Sequence, residues 1–519
     1  MSTTLLRGGR VLHDGEILHA SVLETDGMLA WVGLDSDAPR ADTVVHLDGS
    51  WLLPAFVDGH VHATDTGLVL TGLDLSTARS KADVLEAVSR RTRELRGAPV
   101  LGHGWDETTW WVRELPTAAE LDRAAYGSLV YLSRVDVHSA LASGALLAST
   151  RGVELLEGYA AHGWISRQAH HAVRSTALGS LTAGQRADAQ LVTMRTAASR
   201  GIAVLHEMAG PEISGTEDTA ALIALARERS LPDVVAYWGE VAAGGGLEVL
   251  QELGGHGLAG DLFVDGAIGS RTACLRSPYA DAGHTSGALY LDAAAVTDHL
   301  TRSTEAGVQA GFHVIGDAAM DVVVTGLRRA AEMLGAGRLR ALRHRLEHAE
   351  MLDPDQIDVL ADLGVLTSVQ PAFDAAWGGE RGMYVERLGP GRGTRLNPYA
   401  DLHAAGVALV LGSDSPVTPL DPWGGVRAAV HHRTSAQSLD LRTAFDAHTR
   451  AGHAAVGDER SGRLVVGAPA TYAVWGADFP TDESGWPDLF GGHRVPTCLR
   501  TVLRGTTVHD TGALEEVAA

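Results

Sequence analysis

Two histidines one residue apart, His60 and His62, close the apolar run Leu52-Leu53-Pro54-Ala55-Phe56-Val57-Asp58-Gly59. On a strand, alternate side chains share a face, so the two imidazoles project together about 7 Å apart. Two imidazoles at a strand end suit one metal ion. The spacing alone is weak, because a strand end carrying two solvated histidines reads the same way. Four further stretches place a polar group at the end of an apolar run. His313 closes Val308-Gln309-Ala310-Gly311-Phe312 and precedes Gly316-Asp317, and His348 closes Arg343-His344-Arg345-Leu346-Glu347. Asp414 follows Val407-Ala408-Leu409-Val410-Leu411-Gly412-Ser413, and Asp265 ends Leu262-Phe263-Val264. Each alone reads as a capping or hydrogen-bonding residue. In order they supply several imidazoles and a late carboxylate, a set that suits Zn²⁺ and leaves a coordination position for water.

Residues so far apart in the chain meet only if the fold collects strand ends. Apolar strands are expected at 53–57, 202–206, 262–265, 308–313, 345–348, 365–369 and 407–412. Helical Ala/Leu/Arg-rich segments are expected at 82–95, 118–124, 185–198, 219–229, 293–306, 318–334, 354–363 and 441–455. This alternation implies a parallel sheet, and eight such units close an α/β, (β/α)8 TIM-type barrel whose C-terminal strand ends share one mouth. The barrel is expected over 54–464, with an insertion at about 72–171 near the mouth. Short strands separated by Gly and Asp turns at both chain ends, 1–53 and 465–519, are expected to form a second, small β-sandwich domain.

At 519 residues the chain exceeds one core, so at least two domains are expected. A net charge of −22 opposes nucleic acid or an anionic membrane as partner and leaves a small-molecule substrate; a homodimer is compatible with it. Two cysteines, Cys274 and Cys498, form no disulfide framework, and the first ten residues lack an apolar signal region. A cytoplasmic location is expected. Lys81 is the only lysine in the sequence.

The pattern resembles the amidohydrolase superfamily of metal-dependent hydrolases, and within it the branch that includes N-substituted formamide deformylases. The matching stretches are Pro54-Ala55-Phe56-Val57-Asp58-Gly59-His60-Val61-His62, Asp265-Gly266-Ala267-Ile268-Gly269-Ser270-Arg271-Thr272 and Phe312-His313-Val314-Ile315-Gly316-Asp317. They continue with Arg343-His344-Arg345-Leu346-Glu347-His348 and Gly412-Ser413-Asp414-Ser415-Pro416-Val417, and include Gly104-Trp105-Asp106-Glu107 and Arg134-Val135-Asp136. The resemblance implies a barrel beside a β-sandwich, with His60, His62, His313, His348 and Asp414 in metal and catalytic positions.

One departure changes the metal chemistry. Relatives place a lysine four residues before the Asp-Gly pair, where its carbamate bridges two ions; here that position is Asp261. Lys81 lies in Ser80-Lys81-Ala82-Asp83, a helix start, so a lysine-carbamate centre is not expected. Two arrangements follow. One ion is held by His60, His62, His313 and Asp414 with His348 beside the water, or Asp261 or Glu207 replaces the carbamate between two ions. A catalytic zinc needs only three protein ligands and an open position, which favours one ion. Asp414 is then general base and general acid, and His348 polarises the carbonyl. Arg271 either grips the substrate or pins its loop to Asp265 or Asp317, and Trp105, with Trp110 and Trp111, is expected as an apolar lid. The function expected is hydrolysis of a non-peptide C–N bond in a small amide or N-substituted formamide. The alternatives are a deaminase of a cyclic amidine or aromatic amine, a lactonase, and a weakly active or non-catalytic binding relative that lost its bridge.

Overall fold

The computed structural model describes residues 2–135, 137, 139–489 and 494–518. Asp136, part of one matching stretch, lies outside the described residues. The chain divides into two compact units, one of residues 1–62, 194–211 and 219–519, the other of residues 63–193 and 212–218. Among the described residues no helix is long and apolar enough to cross a membrane.

The first unit contains the barrel. Its eight parallel strands are Phe56–Val61, Ile202–Ala209, Asp233–Trp238, Gly257–Leu258, Gln309–Val314, Arg345–His348, Leu366–Val369 and Leu409–Leu411, each hydrogen-bonded to its neighbour in sequence. Strand eight returns to strand one: the Asp414 N–H donates to the His60 carbonyl at 2.8 Å and the His62 N–H to the Ser415 carbonyl at 2.9 Å. Most of these strands are buried on both faces, as a sheet covered by helices requires. The helix Pro354–Leu363 shows how local sequence sets a boundary. Asp353 and Gln356 form a reciprocal capping box, Pro354 supplies a preset φ, and Gly364 ends the helix with φ 64°. The helix buries Ile357, Leu360 and Leu363, side chains worth about 1.5–3 kcal/mol each when removed from water.

The first and last barrel strands approach unusually closely. A Cβ on Gly59 would lie 2.5 Å from Val410 Cγ1 and 2.9 Å from the Leu411 carbonyl oxygen, and one on Gly412 would lie 2.5 Å from the His60 nitrogen. Glycine at both places lets the backbones carrying His60 and Asp414 come together.

The barrel differs from expectation at three strands. Asp233–Trp238 is a barrel strand that the sequence reading did not include. The fourth strand is Gly257–Leu258, and Gly260 (φ 83°) then turns the chain, so 262–265 keeps only isolated bridges, Phe263 with His313 and Asp265 with Leu289. The first strand starts at Phe56, because Trp51–Pro54 pairs with Tyr472–Trp475 in another sheet.

That other sheet has nine strands drawn from both chain ends, among them Thr3–His13, Thr43–His46, Tyr472–Trp475 and Cys498–Leu503. The first half of Thr3–His13 pairs with Thr43–His46 and its second half with Trp51–Pro54, the partner changing across Gly8-Gly9. The sheet encloses a core of Leu6, Val11, Val22, Val45, Leu52 and Val474.

The second unit carries a five-stranded sheet, from Leu73–Asp74 through Val100–Trp105, Val130–Arg134 and Ser139–Ala142 to Trp164–Ser166. Its first three strands are parallel and the last two antiparallel. The helix Lys81–Leu95 starts at Ser80, whose side chain accepts from the Asp83 N–H, and Lys81 is ion-paired to Glu114 and Glu120.

Candidate metal centre

Four barrel strand ends deliver the polar groups. His60 and His62 come from strand one, Asp261 from the turn after strand four, His348 from strand six and Asp414 from just past strand eight. His348 (φ 69°) and Asp414 (φ 50°) both adopt the left-handed backbone region, a strained geometry for non-glycine residues that clusters at functional sites.

The groups converge closely. Asp414 Oδ1 lies 3.2 Å from His62 Nε2 and 3.4 Å from His60 Nε2. Asp261 Oδ2 lies 3.2 Å from His62 Nε2, and its Oδ1 lies 3.6 Å from His60 Nε2. Among the described residues, two overlapping triplets have ligand atoms within 4.8 Å of one another: His60, His62 and Asp414, and His60, Asp261 and His348. The His313 ring packs against His348 with centroids 4.5 Å apart, and its Nδ1 is 3.9 Å from Asp265 Oδ1; it belongs to neither triplet. Glu207 is buried on strand two and is also in neither.

The outward nitrogens are occupied. His60 Nδ1 is 2.9 Å from Glu347 Oε2, His62 Nδ1 is 3.0 Å from the Met208 carbonyl, and His348 Nδ1 is 2.8 Å from Gln370 Oε1. Each acceptor takes a hydrogen from Nδ1, so that in the neutral ring the lone pair is on Nε2. Asp58 completes the frame, accepting from the Ser413 N–H at 2.8 Å and the His60 N–H at 3.3 Å. The sequence reading missed Glu347, Gln370 and Asp58 as supports, although Asp58 and Glu347 stand inside quoted stretches.

Electrostatics follow from this crowding. Burial opposes a charge on His62, but Asp261 and Asp414 outweigh it and lift its basicity well above the imidazole range. Burial likewise opposes a charge on His60, and Asp414, Glu347 and Asp261 raise it. Burial works against ionised Asp261 and Asp414, yet the imidazoles hold both carboxyls below the usual range. His348 is lowered, chiefly by burial.

These residues fit a small divalent cation. Among the described residues, His60 Nε2 and Asp261 Oδ1 are buried with no hydrogen-bond partner. Buried polar atoms of that kind are costly unless something satisfies them. Two imidazole nitrogens and carboxylate oxygens of both aspartates compose a zinc-type donor set.

Two sequence-predicted substrate contacts are placed elsewhere. Arg271 is bidentate to Asp281, at 3.1 and 2.6 Å, so it pins its loop to a residue other than the two expected. Asp265 instead accepts the N–H groups of Cys274, Ile315 and Gly316, and Asp317 accepts that of Arg276. Trp105 is fully buried in the core of the second unit, its indole N–H donating to the Leu132 carbonyl at 2.8 Å, so it presents no open surface as a lid. Trp110 is buried too, and Trp111 is 98% exposed.

Comparison with known proteins adds independent evidence. A profile described as "Amidohydrolase family" matches residues 43–509. The chain is 26% identical to "Putative amidohydrolase YtcJ" of Bacillus subtilis (strain 168), over 84% of this chain and 85% of that protein. It is 25% identical to the N-substituted formamide deformylase of Arthrobacter pascens, over 80% and 81% of the two chains. The crystal structure of an uncharacterised metal-dependent hydrolase from Pyrococcus furiosus superposes with a TM-score of 0.73 at 25% identity, covering 91% of this chain and 98% of that one. With its barrel, its clustered strand-end residues and a family match spanning most of its length, the chain belongs to the amidohydrolase family of metal-dependent hydrolases.

Proposed function

We propose that this protein hydrolyses a non-peptide carbon–nitrogen bond in a small amide or N-substituted formamide, using one zinc ion. The observation that carries the single-ion reading is the sharing of His60 between the two triplets. Its Nδ1 is engaged by Glu347, so one lone pair, on Nε2, remains for coordination. The two triplets are therefore alternatives for one ion. Asp261, at the position where the resemblance implies a bridging lysine, has its carboxylate oxygens 3.2 Å from His62 Nε2 and 3.6 Å from His60 Nε2.

A zinc ion held by His60, His62 and Asp414, with Asp261 adjoining, would lower the pKa of water from about 15.7 to about 7. Asp414 takes the proton of the attacking water and passes it to the leaving nitrogen, which makes it general base and then general acid. Its ionised form is favoured by the imidazoles around it, as a base requires. His348 presents a lone pair at Nε2, with Phe373 stacked 6.0 Å from its ring. In this tautomer it accepts a proton or a ligand; polarising a carbonyl, the role expected from sequence, requires its protonated form.

The similarity to an N-substituted formamide deformylase supports the choice of bond. The test is a screen of N-formyl and N-acyl amines beside cyclic amidines, scored for carboxylic acid or for ammonia. Release of formate or another acid, reduced about 10²–10⁴-fold in Asp414→Asn, is the expected result. Ammonia as the product would make the protein a deaminase.

A further inference from the structure

Resting on the single-ion reading, we propose that Arg345 and Glu347 are positioning residues that hold His60 as the ligand common to both triplets, and thereby set the protein's metal affinity.

The three candidate imidazole ligands are supported unequally. His62 and His348 lean on neutral acceptors, a backbone carbonyl and an amide oxygen. Only His60 leans on a carboxylate. Glu347 is fully buried and is gripped by Arg345 through two contacts, Nε to Oε1 at 2.6 Å and a terminal nitrogen to Oε2 at 2.9 Å. Arg345 also donates to the Gly59 carbonyl at 2.9 Å, lies 3.3 Å from His206 Nδ1 and stacks 4.4 Å over the Tyr237 ring. One guanidinium therefore holds both the backbone just before His60 and the carboxylate behind its ring.

An ion pair in a barrel interior is a poor device for stability. Taking both charges out of water costs what their attraction returns, and apolar residues of similar volume pack there equally well. A positioning role accounts for it. A carboxylate accepting from the outer imidazole N–H fixes ring and tautomer and makes the inner nitrogen a stronger donor. Arg345 supplies the counter-charge to that buried carboxylate through both of its contacts. Both residues extend from one strand with side chains on the same face, so the device is built into strand six, immediately before His348.

The test uses the full chain, zinc alone as the probe and a competing chromophoric chelator. Glu347→Gln preserves shape and removes the charge; Arg345→Met with Glu347→Gln removes both charges, so that no buried guanidinium is left alone. Zinc affinity should fall about 10–100-fold in both, the range typical of such outer partners. The ¹⁵N spectrum of His60 should shift from one tautomer to a mixture. Folded variants that bind zinc within twofold of the parent, with the His60 tautomer unchanged, would overturn the proposal and leave the pair a structural one. A parent chain that binds no divalent ion would overturn both this inference and the metal-dependent reading, whereas equal binding by parent and variants overturns this inference only.

Discussion

Replacing Gly412 by alanine tests how tightly the seam between the first and last barrel strands sets the site. The new Cβ would lie 2.5 Å from the His60 nitrogen, 3.0 Å from His60 Cβ and 3.1 Å from Asp58 Oδ1. Relief to ordinary van der Waals contact requires the two strands to part by about 0.9 Å, and the nearest atom is backbone, which cannot swing aside. The Asp414 N–H to His60 carbonyl bond, 2.8 Å long, lies on the same seam and would stretch past hydrogen-bonding range. His60 Nε2 and Asp414 Oδ1, now 3.4 Å apart, would be displaced relative to each other by a similar shift. Overpacking of this kind costs about 1–3 kcal/mol of stability, and a misplacement near 1 Å costs about 10²-fold in rate. The assay is zinc affinity by chelator competition together with a urea melt. Gly337→Ala serves as control, since a Cβ there meets nothing within 4 Å. Zinc binding within twofold of the parent in Gly412→Ala would refute the seam as the positioning element.

Other outcomes follow from charge and burial. Burial holds His256, His299, His344 and His453 each at about 4. In the unfolded chain they titrate near 6.5, so between about 6.5 and 4 the unfolded state binds more protons. Their contribution is complete above about pH 6.5 and is lost as pH falls towards 4, by up to about 1.4 kcal/mol per pH unit for each group. Urea midpoints of the metal-free protein measured across that window should drop steeply, and a flat profile would contradict the buried neutral histidines. Lys81 is committed to Glu114 and Glu120, so metal loading should be indifferent to added bicarbonate and to Lys81→Arg. A bicarbonate-dependent rise in bound metal would revive a carbamate. Asp261→Asn should weaken zinc binding by about tenfold or more, as loss of a charged group adjoining the ion implies, measured by the same chelator competition.

Much of the site was legible because its chemistry is local. His60 and His62 share a strand face, Asp414 follows an apolar run and His348 ends an expected strand, so the residue types and the barrel periodicity placed them together. The absence of a second lysine exposed Asp261 by composition alone. What stayed hidden depends on contacts across the fold. Arg345 and Glu347 are opposite charges two apart on a strand buried throughout, a pattern that signals a buried pair, but nothing local says that Glu347 faces His60. Arg271 meets Asp281 through the path of a loop, which no spacing encodes. The strand Asp233–Trp238 has the β-branched and aromatic composition of a strand, but it is short and lies between longer helical segments whose pattern dominates locally. The fourth strand was misplaced because Gly260 turns the chain between Leu258 and Asp261, and that turn is what carries Asp261 to the histidines.

The most direct measurement is metal content per chain, by elemental analysis of protein loaded with excess zinc and then freed of weakly bound ions. One zinc per chain is predicted, falling towards zero in His60→Ala because that residue serves both triplets. Two ions per chain, or one ion retained in full by His60→Ala, would contradict a single centre built on His60.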